Sequence, residues 1–309
     1  MKLLMTAERY SLLGHILAMA FGLAGLLVVI PHPELIVSLS AVGQKIFQWS
    51  MAGGGVVYII LGAVAVAIYA YRQLGLYRWL TFMVPSVLLS LTSELLGTST
   101  GFPFGAYGYL SGLGYKIAGL VPFTIPLSWF YMGFVCYVLA RSGLSRTNLP
   151  MIVQQVASIS AGAILLTAWD LVLDPAMSQT AFPFWQFQEV GEFFGMPYRN
   201  LSGWFGTGAL FMTVAAVLWG NKPIELSRSQ LNLPVVTYLV NFAFGAVITV
   251  TALDIRFLIP VCLSVLFGVV PAIVVWLMAA PSVATIESEP VLEPNLTTAA
   301  KRAPEVVAK

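Results

Sequence analysis

The chain has 309 residues, 59% of them hydrophobic and 9% charged, with a net charge of +2 and a mean hydropathy of +0.87. Soluble domains carry about 25% charged residues, so the composition excludes an ordinary globular protein. It points to an all-α, polytopic integral membrane helical bundle with the lipid bilayer as its partner, and no basic stripe offers a nucleic-acid surface.

The apolar runs predict about eight transmembrane helices. The first covers Tyr10 to Ile30 and stops at Pro31 and Pro33. It follows Lys2 and Arg9 as a signal peptide would, but it is too long and lacks a small-residue cleavage site, so it reads as a retained helix. The second covers Met51 to Tyr71, the third Trp79 to Leu96, the fourth Leu120 to Ala140 and the fifth Ile152 to Val172. The sixth, Leu201 to Trp219, is short. The seventh and eighth, Val235 to Leu253 and Phe257 to Met278, are separated by Asp254-Ile255-Arg256 alone, which implies a tight hairpin. These spans form one transmembrane catalytic domain over residues 1–281. The remainder, 282–309, is rich in Ala, Pro, Glu and Thr and reads as a disordered tail.

Charge orients the bundle. Lys2, Arg9, Arg72, Arg78, Arg141, Arg146, Lys222, Arg228, Lys301, Arg302 and Lys309 fall on one side of this layout. Only Lys45, Lys116, Arg199 and Arg256 fall on the other. The excess of Lys and Arg on cytoplasmic loops then places both termini in the cytoplasm. It also brings the ends of the third and fifth spans to the same, non-cytoplasmic face.

Those two ends carry acids. Ser93-Glu94-Leu95-Leu96-Gly97 closes the third span, and Trp169-Asp170-Leu171-Val172-Leu173-Asp174-Pro175 closes the fifth. Ionisable residues inside membrane spans are costly, so they suggest a task. Asp170 and Asp174 are four residues apart and share a helix face. Carboxylates that close repel, so the pair is expected to hold a proton, an acid beside a base. The bland readings are a structural pair that caps neighbouring helices or binds Arg199, and a Glu94 bonded to the hydroxyls of Thr98, Ser99 and Thr100.

The loops beyond the acids are aromatic. The first runs Phe102-Pro103-Phe104-Gly105-Ala106-Tyr107-Gly108-Tyr109. The second carries Phe182, Phe184, Trp185, Phe187, Phe193, Phe194 and Tyr198, and Trp204 follows. Phe-Pro-Phe begins eight residues after Glu94 and again eight after Asp174. Leu127-Ser128-Trp129-Phe130 is matched by Leu201-Ser202-Gly203-Trp204-Phe205. A parallel internal repeat would make Glu94 and Asp174 equivalents facing one site; the rival reading is coincidence between interfacial belts. Glu189 and Glu192 read as solvated. Asn200 either orients a water or forms the turn before the sixth span.

Redox and metal machinery has little trace. Two histidines are too few for a histidine-rich iron site, no P-loop occurs, and Gly112-Leu113-Gly114 lacks the third glycine of a dinucleotide motif. Cys136 and Cys262 read as free thiols in apolar runs. No cofactor and no metal are expected. Buried acids and aromatic faces suit protonation of an isolated alkene. The tertiary carbocation so formed would be held by aromatic rings, at about 2 kcal/mol or more per ring when desolvated, and captured by water.

The motif Ser93-Glu94-Leu95-Leu96-Gly97-Thr98 with Gly101-Phe102-Pro103-Phe104-Gly105, Tyr115-Lys116-Ile117, Ile125-Pro126-Leu127-Ser128-Trp129, Ala168-Trp169-Asp170 and Asp174-Pro175 resembles the CruF-type carotenoid 1′,2′-hydratases. Met51-Ala52-Gly53-Gly54-Gly55-Val56-Val57-Tyr58 is similar to their cyanobacterial branch, which implies a plasma or thylakoid membrane. The resemblance implies a hydro-lyase-type enzyme that adds water to the terminal double bond of an acyclic ψ end. The substrate class would be γ-carotene-like and the 1′-hydroxy product would feed myxol glycoside synthesis, with other carotenoid-pathway enzymes as neighbours. The residues themselves nominate Glu94, Asp170 and Asp174 as catalytic. Phe102, Phe104, Tyr107, Trp129, Trp185, Asn200 and Trp204 are nominated for substrate binding. Three rivals stand beside this reading: a membrane prenyltransferase-like enzyme using Asp170-x-x-x-Asp174, a non-catalytic carotenoid or lipid carrier, and an ion-coupled transporter using the same buried acids.

Overall fold

A computed structural model describes residues 1–281, and the expected tail at 282–309 lies outside the described residues. The helices are α1 (Lys2–Ala24), continued by a π-helical turn over Gly25–Val29, α2 (Pro33–Ser38), α3 (Ala41–Thr100), α4 (Thr124–Leu144), α5 (Met151–Ser178), α6 (Tyr198–Trp219) and α7 (Asn232–Ala252). The last rod is α8 (Leu258–Ser264), a π-helical turn over Val265–Val269, and α9 (Val270–Met278). Among the described residues, six segments are long and apolar enough to cross a membrane: Lys2–Val29, Gly53–Thr100, Met151–Ser178, Tyr198–Trp219, Asn232–Ala252 and Ile255–Met278.

The Gly53–Thr100 segment has 48 residues, which at about 1.5 Å each is roughly twice the thickness of a hydrocarbon core. It is not one straight rod. Gly75 adopts φ 81° and ψ 170°, outside helical geometry, and divides α3 between Arg72 and Arg78. Glycine alone takes this conformation without a Cβ penalty. Helix α3 starts ten residues before the expected second span, where the Ser40 hydroxyl caps it by accepting from the Gly43 N–H at 3.2 Å.

Helix α4 is apolar all round and buried along nearly its whole length, as expected of a rod surrounded by others. It packs on α3, α5, α7 and α9, while α6 closes against α3 and α5 and α1 lies along the outside of α3. The basic end of the bundle is stapled by polar contacts. Arg72 donates to both oxygens of Glu8 at 2.8 and 3.0 Å. Arg141 donates to the Tyr137 hydroxyl at 2.6 Å and the Gly220 carbonyl at 3.1 Å, and Arg228 donates to the Leu277 carbonyl.

The opposite end carries short strands that an all-α expectation does not include. They are β1 (Tyr107–Tyr109), β2 (Lys116–Ile117), β3 (Val121–Pro122) and β4 (Trp185–Phe187). β2 and β3 form a small hairpin. β1 and β4 pair antiparallel, with Tyr107 opposite Phe187 and Tyr109 opposite Trp185. The two aromatic loops are thereby zipped into one cap over the ends of α3 and α5.

Candidate active site

Side chains alternate faces along a strand. In Tyr107-Gly108-Tyr109 and Trp185-Gln186-Phe187 this puts four rings on one side of the β1–β4 ribbon, facing the helix ends. Beneath them lies a narrow cavity of about 50 Å³. Glu94 from α3 and Asp170 and Asp174 from α5 all line it, together with Trp129 from α4 and Asn200 and Trp204 from α6. The carboxyl-bearing residues are 3%, 1% and 2% exposed. Pro175 sits inside α5 rather than ending it, so the helix carries both aspartates into the cavity before finishing at Ser178.

Each carboxyl group meets neutral donors. One Glu94 oxygen accepts from the Tyr107 hydroxyl and from the Tyr109 hydroxyl at 2.8 Å. The other accepts from the Trp129 indole N–H at 2.9 Å. Asp174 accepts from the Trp185 indole N–H at 2.5 Å, and Asp170 from the Asn200 amide at 3.1 Å. Among the described residues no Lys or Arg pairs with any of the three. Burial first, and the Glu94 carboxyl next, push the Tyr107 and Tyr109 phenols well above the ordinary tyrosine range. Both therefore remain O–H donors.

Arg199 and the three hydroxyls that follow Glu94 find other partners. Thr98, Ser99 and Thr100 turn their hydroxyls back to the carbonyls of Glu94, Leu95 and Leu96 in their own helix, and Glu94 reaches the aromatic donors instead. Arg199 does not bind the aspartates. It is bidentate to Glu189, at 2.6 and 2.5 Å. Glu189, read from the sequence as merely solvated, also accepts from the Ala106 N–H at 3.2 Å and so ties the two loops together.

Phe104, Tyr107, Trp129, Trp185, Asn200 and Trp204 all line the cavity. Phe102 does not: it is 71% exposed, on the outer side of the turn whose inner side carries Phe104. Asn200 holds Asp170 directly, and the same nitrogen lies 2.8 Å from the Met196 sulfur. Residues not nominated from the sequence for binding also line the site: Tyr58, Tyr109, Tyr131, Trp169, Leu173, Met177 and Phe187. Tyr109 had a signal, its two-residue spacing from Tyr107. Phe187 had its place in the second aromatic loop, whereas Leu173 and Met177 had none, because they look like every other apolar residue of α5.

Ring geometry completes the lining. Trp129 and Trp204 stack at 4.1 Å, and Trp169 meets Trp204 edge-on at 5.9 Å. The supposed repeat units thus meet at this stack and at the β1–β4 ribbon. They are unequal in surroundings: Glu94 has three donors where Asp174 has one.

A family model described as carotenoid biosynthesis protein matches residues 54–271. Bisanhydrobacterioruberin hydratase of Haloarcula japonica is 31% identical over 128 residues, 41% of this chain and 41% of that protein. The match thus spans less than half the length of that relative. No solved structure matches the chain. The family match covers both acid-bearing helix ends, the two aromatic loops and well over half of the sequence, and on that basis the chain belongs to the carotenoid biosynthesis protein family.

Proposed function

We propose that the protein is a carotenoid hydratase of the CruF type, adding water across the terminal double bond of an acyclic ψ end group. The observation that carries this reading is the meeting of three buried carboxyl groups, from two helices, with stacked indoles in one cavity. A relative named as a hydratase supports it.

Asp170 or Asp174 gives its proton to the CH carbon of the trisubstituted alkene. The adjacent carbon becomes a tertiary cation beside the Trp129–Trp204 stack and Trp185. A water oxygen bonds to that carbon and loses a proton to the other aspartate. One C–H and one C–O bond form, one π bond is lost, and the oxidation balance needs no redox partner. Acid–base help of this kind contributes about 10² to 10⁴ in rate. Glu94, held by three donors, is the second acid/base or fixes the water.

The substrate in this reading is γ-carotene-like, the product a 1′-hydroxy carotenoid on the route to myxol glycosides. The chain crosses the membrane eight times, counting α3 as two rods divided at Gly75 and α4 as one, with both termini cytoplasmic. The cavity then opens toward the other face. A prenyltransferase-like reading needs basic partners for a diphosphate, and Arg199 is already committed to Glu189. A carrier needs a groove but no carboxyl cluster.

The test is expression in a bacterium that accumulates γ-carotene, with chromatography and mass spectrometry of the pigments. A more polar product heavier by one water, labelled when the cells grow in H₂¹⁸O, is expected. Membrane-inserted protein that leaves the pigment unchanged overturns the reading.

A further inference from the structure

Beyond the carboxyl cluster, a second polar chain is buried where α1, α3, α4 and α7 meet. The Tyr131 hydroxyl donates to Asn241 Oδ1 at 2.9 Å. Asn241 Nδ2 donates to the Thr237 carbonyl at 2.9 Å and faces His15 Nε2 at 3.1 Å. His15 Nδ1 lies 2.7 Å from the Tyr58 carbonyl. Tyr131 and His15 are fully buried and Asn241 nearly so. The chain is not remote from the site, because Tyr58 and Tyr131 both line the cavity.

Donor and acceptor roles follow from the chemistry of the neighbours. Asn241 must present its NH₂ to the Thr237 carbonyl and its oxygen to the Tyr131 hydroxyl. The atom it shows His15 is therefore a donor, so Nε2 is an acceptor and the imidazole proton sits on Nδ1, directed at the Tyr58 carbonyl. The two ring nitrogens of His15, the Asn241 amide and the Tyr131 hydroxyl are then all satisfied, as buried polar networks require. The ring reaches that carbonyl over Gly62, where an added Cβ would lie 2.9 Å from His15. His15 also meets the Tyr131 ring edge-on at 5.8 Å and the Tyr58 ring at 5.9 Å.

We infer that His15 is a positioning residue of the cavity: as a neutral Nδ1–H imidazole it locks Tyr58 and Tyr131 into the wall against which the hydrocarbon substrate lies. It holds both through the backbone and ring on one side and through Asn241 on the other. It stands outside the proton path of the carboxyl groups, since its two nitrogens are both engaged away from them. The functional part of this inference rests on the hydratase reading; the tautomer does not.

Two experiments separate the parts. The chain has only two histidines, and the other, His32, is exposed beside Glu34, so ¹⁵N-histidine labelling of the full chain in nanodiscs gives two assignable rings. A neutral Nδ1–H pattern for His15 at neutral pH is expected. An Nε2–H or doubly protonated ring overturns the inference whether or not the protein hydrates carotenoids. In the γ-carotene assay, His15→Phe keeps a ring but removes both hydrogen bonds, and KM should rise by about tenfold, the loss of one to two such bonds, with kcat changed far less. His15→Gln, whose amide supplies one donor and one acceptor, should restore KM to near the wild-type value. Tyr131→Phe, which fills the same space, should raise KM as His15→Phe does. An unchanged KM in His15→Phe, or a His15→Gln enzyme with wild-type KM and a collapsed kcat, overturns the positioning role. Absence of hydration by the wild-type chain sinks the hydratase reading alone.

Discussion

The indoles of Trp129 and Trp204 lie 4.1 Å apart and within 24° of parallel, and the Trp129 N–H donates to Glu94 at 2.9 Å. One residue of the pair is thus bonded to an acid while its ring face is covered by the other. The stack builds an electron-rich wall beside a carboxyl group, where a developing cation would be stabilised most.

Trp204→Leu tests that wall. Leucine preserves apolar burial but removes the π face. Losing about 2 kcal/mol of cation stabilisation corresponds to roughly a thirtyfold fall in kcat. Trp204→Phe should recover most of it. Turnover in isolated membranes checks both, and equal rates for the Leu and Phe variants would dismiss a cationic intermediate at this wall.

Glu94 and Asp170 should respond differently to their amides. Glu94→Gln sets an NH₂ group among three donors, so at least one hydroxyl or N–H loses its acceptor, at about 1–3 kcal/mol per orphaned group. Among the described residues Asp170 accepts from a single donor, the Asn200 amide, and the oxygen of an asparagine can still accept from it. Both variants are expected to lose product formation. Thermal unfolding in detergent should show a clear loss of stability for Glu94→Gln and little change for Asp170→Asn. Matching stability losses would contradict the donor arrangement around Glu94.

The acids could be read from the sequence because charge is rare in these spans, so each carboxyl stood out against an apolar background. The break at Gly75 was foreshadowed by Arg72 and Arg78 on either side of it. What the reading missed was set by long-range pairing. Only when β1 meets β4 do Tyr109 and Phe187 acquire an inward face, and no local pattern tells which of Phe102 and Phe104 faces the cavity. Tyr58 and Tyr131 were hidden because an aromatic residue in an apolar span resembles any other core residue. Arg199 looked available to the aspartates until Glu189 was brought beside it.

The Glu189–Arg199 pair should make the cap sensitive to acid. Arg199 beside it holds the Glu189 carboxyl below the ordinary glutamate range. A carboxyl lowered on folding supports the folded cap at and above the unfolded pKa, about 4.3, and that support is lost as pH falls through the lower folded value. Hydrogen exchange at the Ala106 amide, which Glu189 accepts at 3.2 Å, should therefore stay slow at neutral pH and accelerate only in strong acid. Glu189→Gln should exchange fast throughout. An Ala106 amide indifferent to that substitution would mean that the loops are held by the β1–β4 ribbon alone.

Gly97 explains why a glycine follows Glu94 by three residues, on the same helix face. A Cβ there would come 2.8 Å from the Phe104 ring and 3.0 Å from the Tyr107 ring. Both rings are buried, and Tyr107 is bonded to Glu94. Two effects of Gly97→Ala compete. Alanine favours the helix by about 0.8–1.0 kcal/mol, whereas overpacking a tight core costs typically about 1–3 kcal/mol. Tyr107 is tied to Glu94, and Phe104 packs against the Tyr107 and Trp129 rings, so the steric term should win and Tyr107 should swing away from Glu94. The variant is expected to be less thermostable than the parent and to lose most product formation, while Gly206→Ala on α6, where no atom lies within 4 Å of the added carbon, should retain both. A Gly97→Ala protein that is fully active and more stable would show that Tyr107 does not need its present position against Glu94.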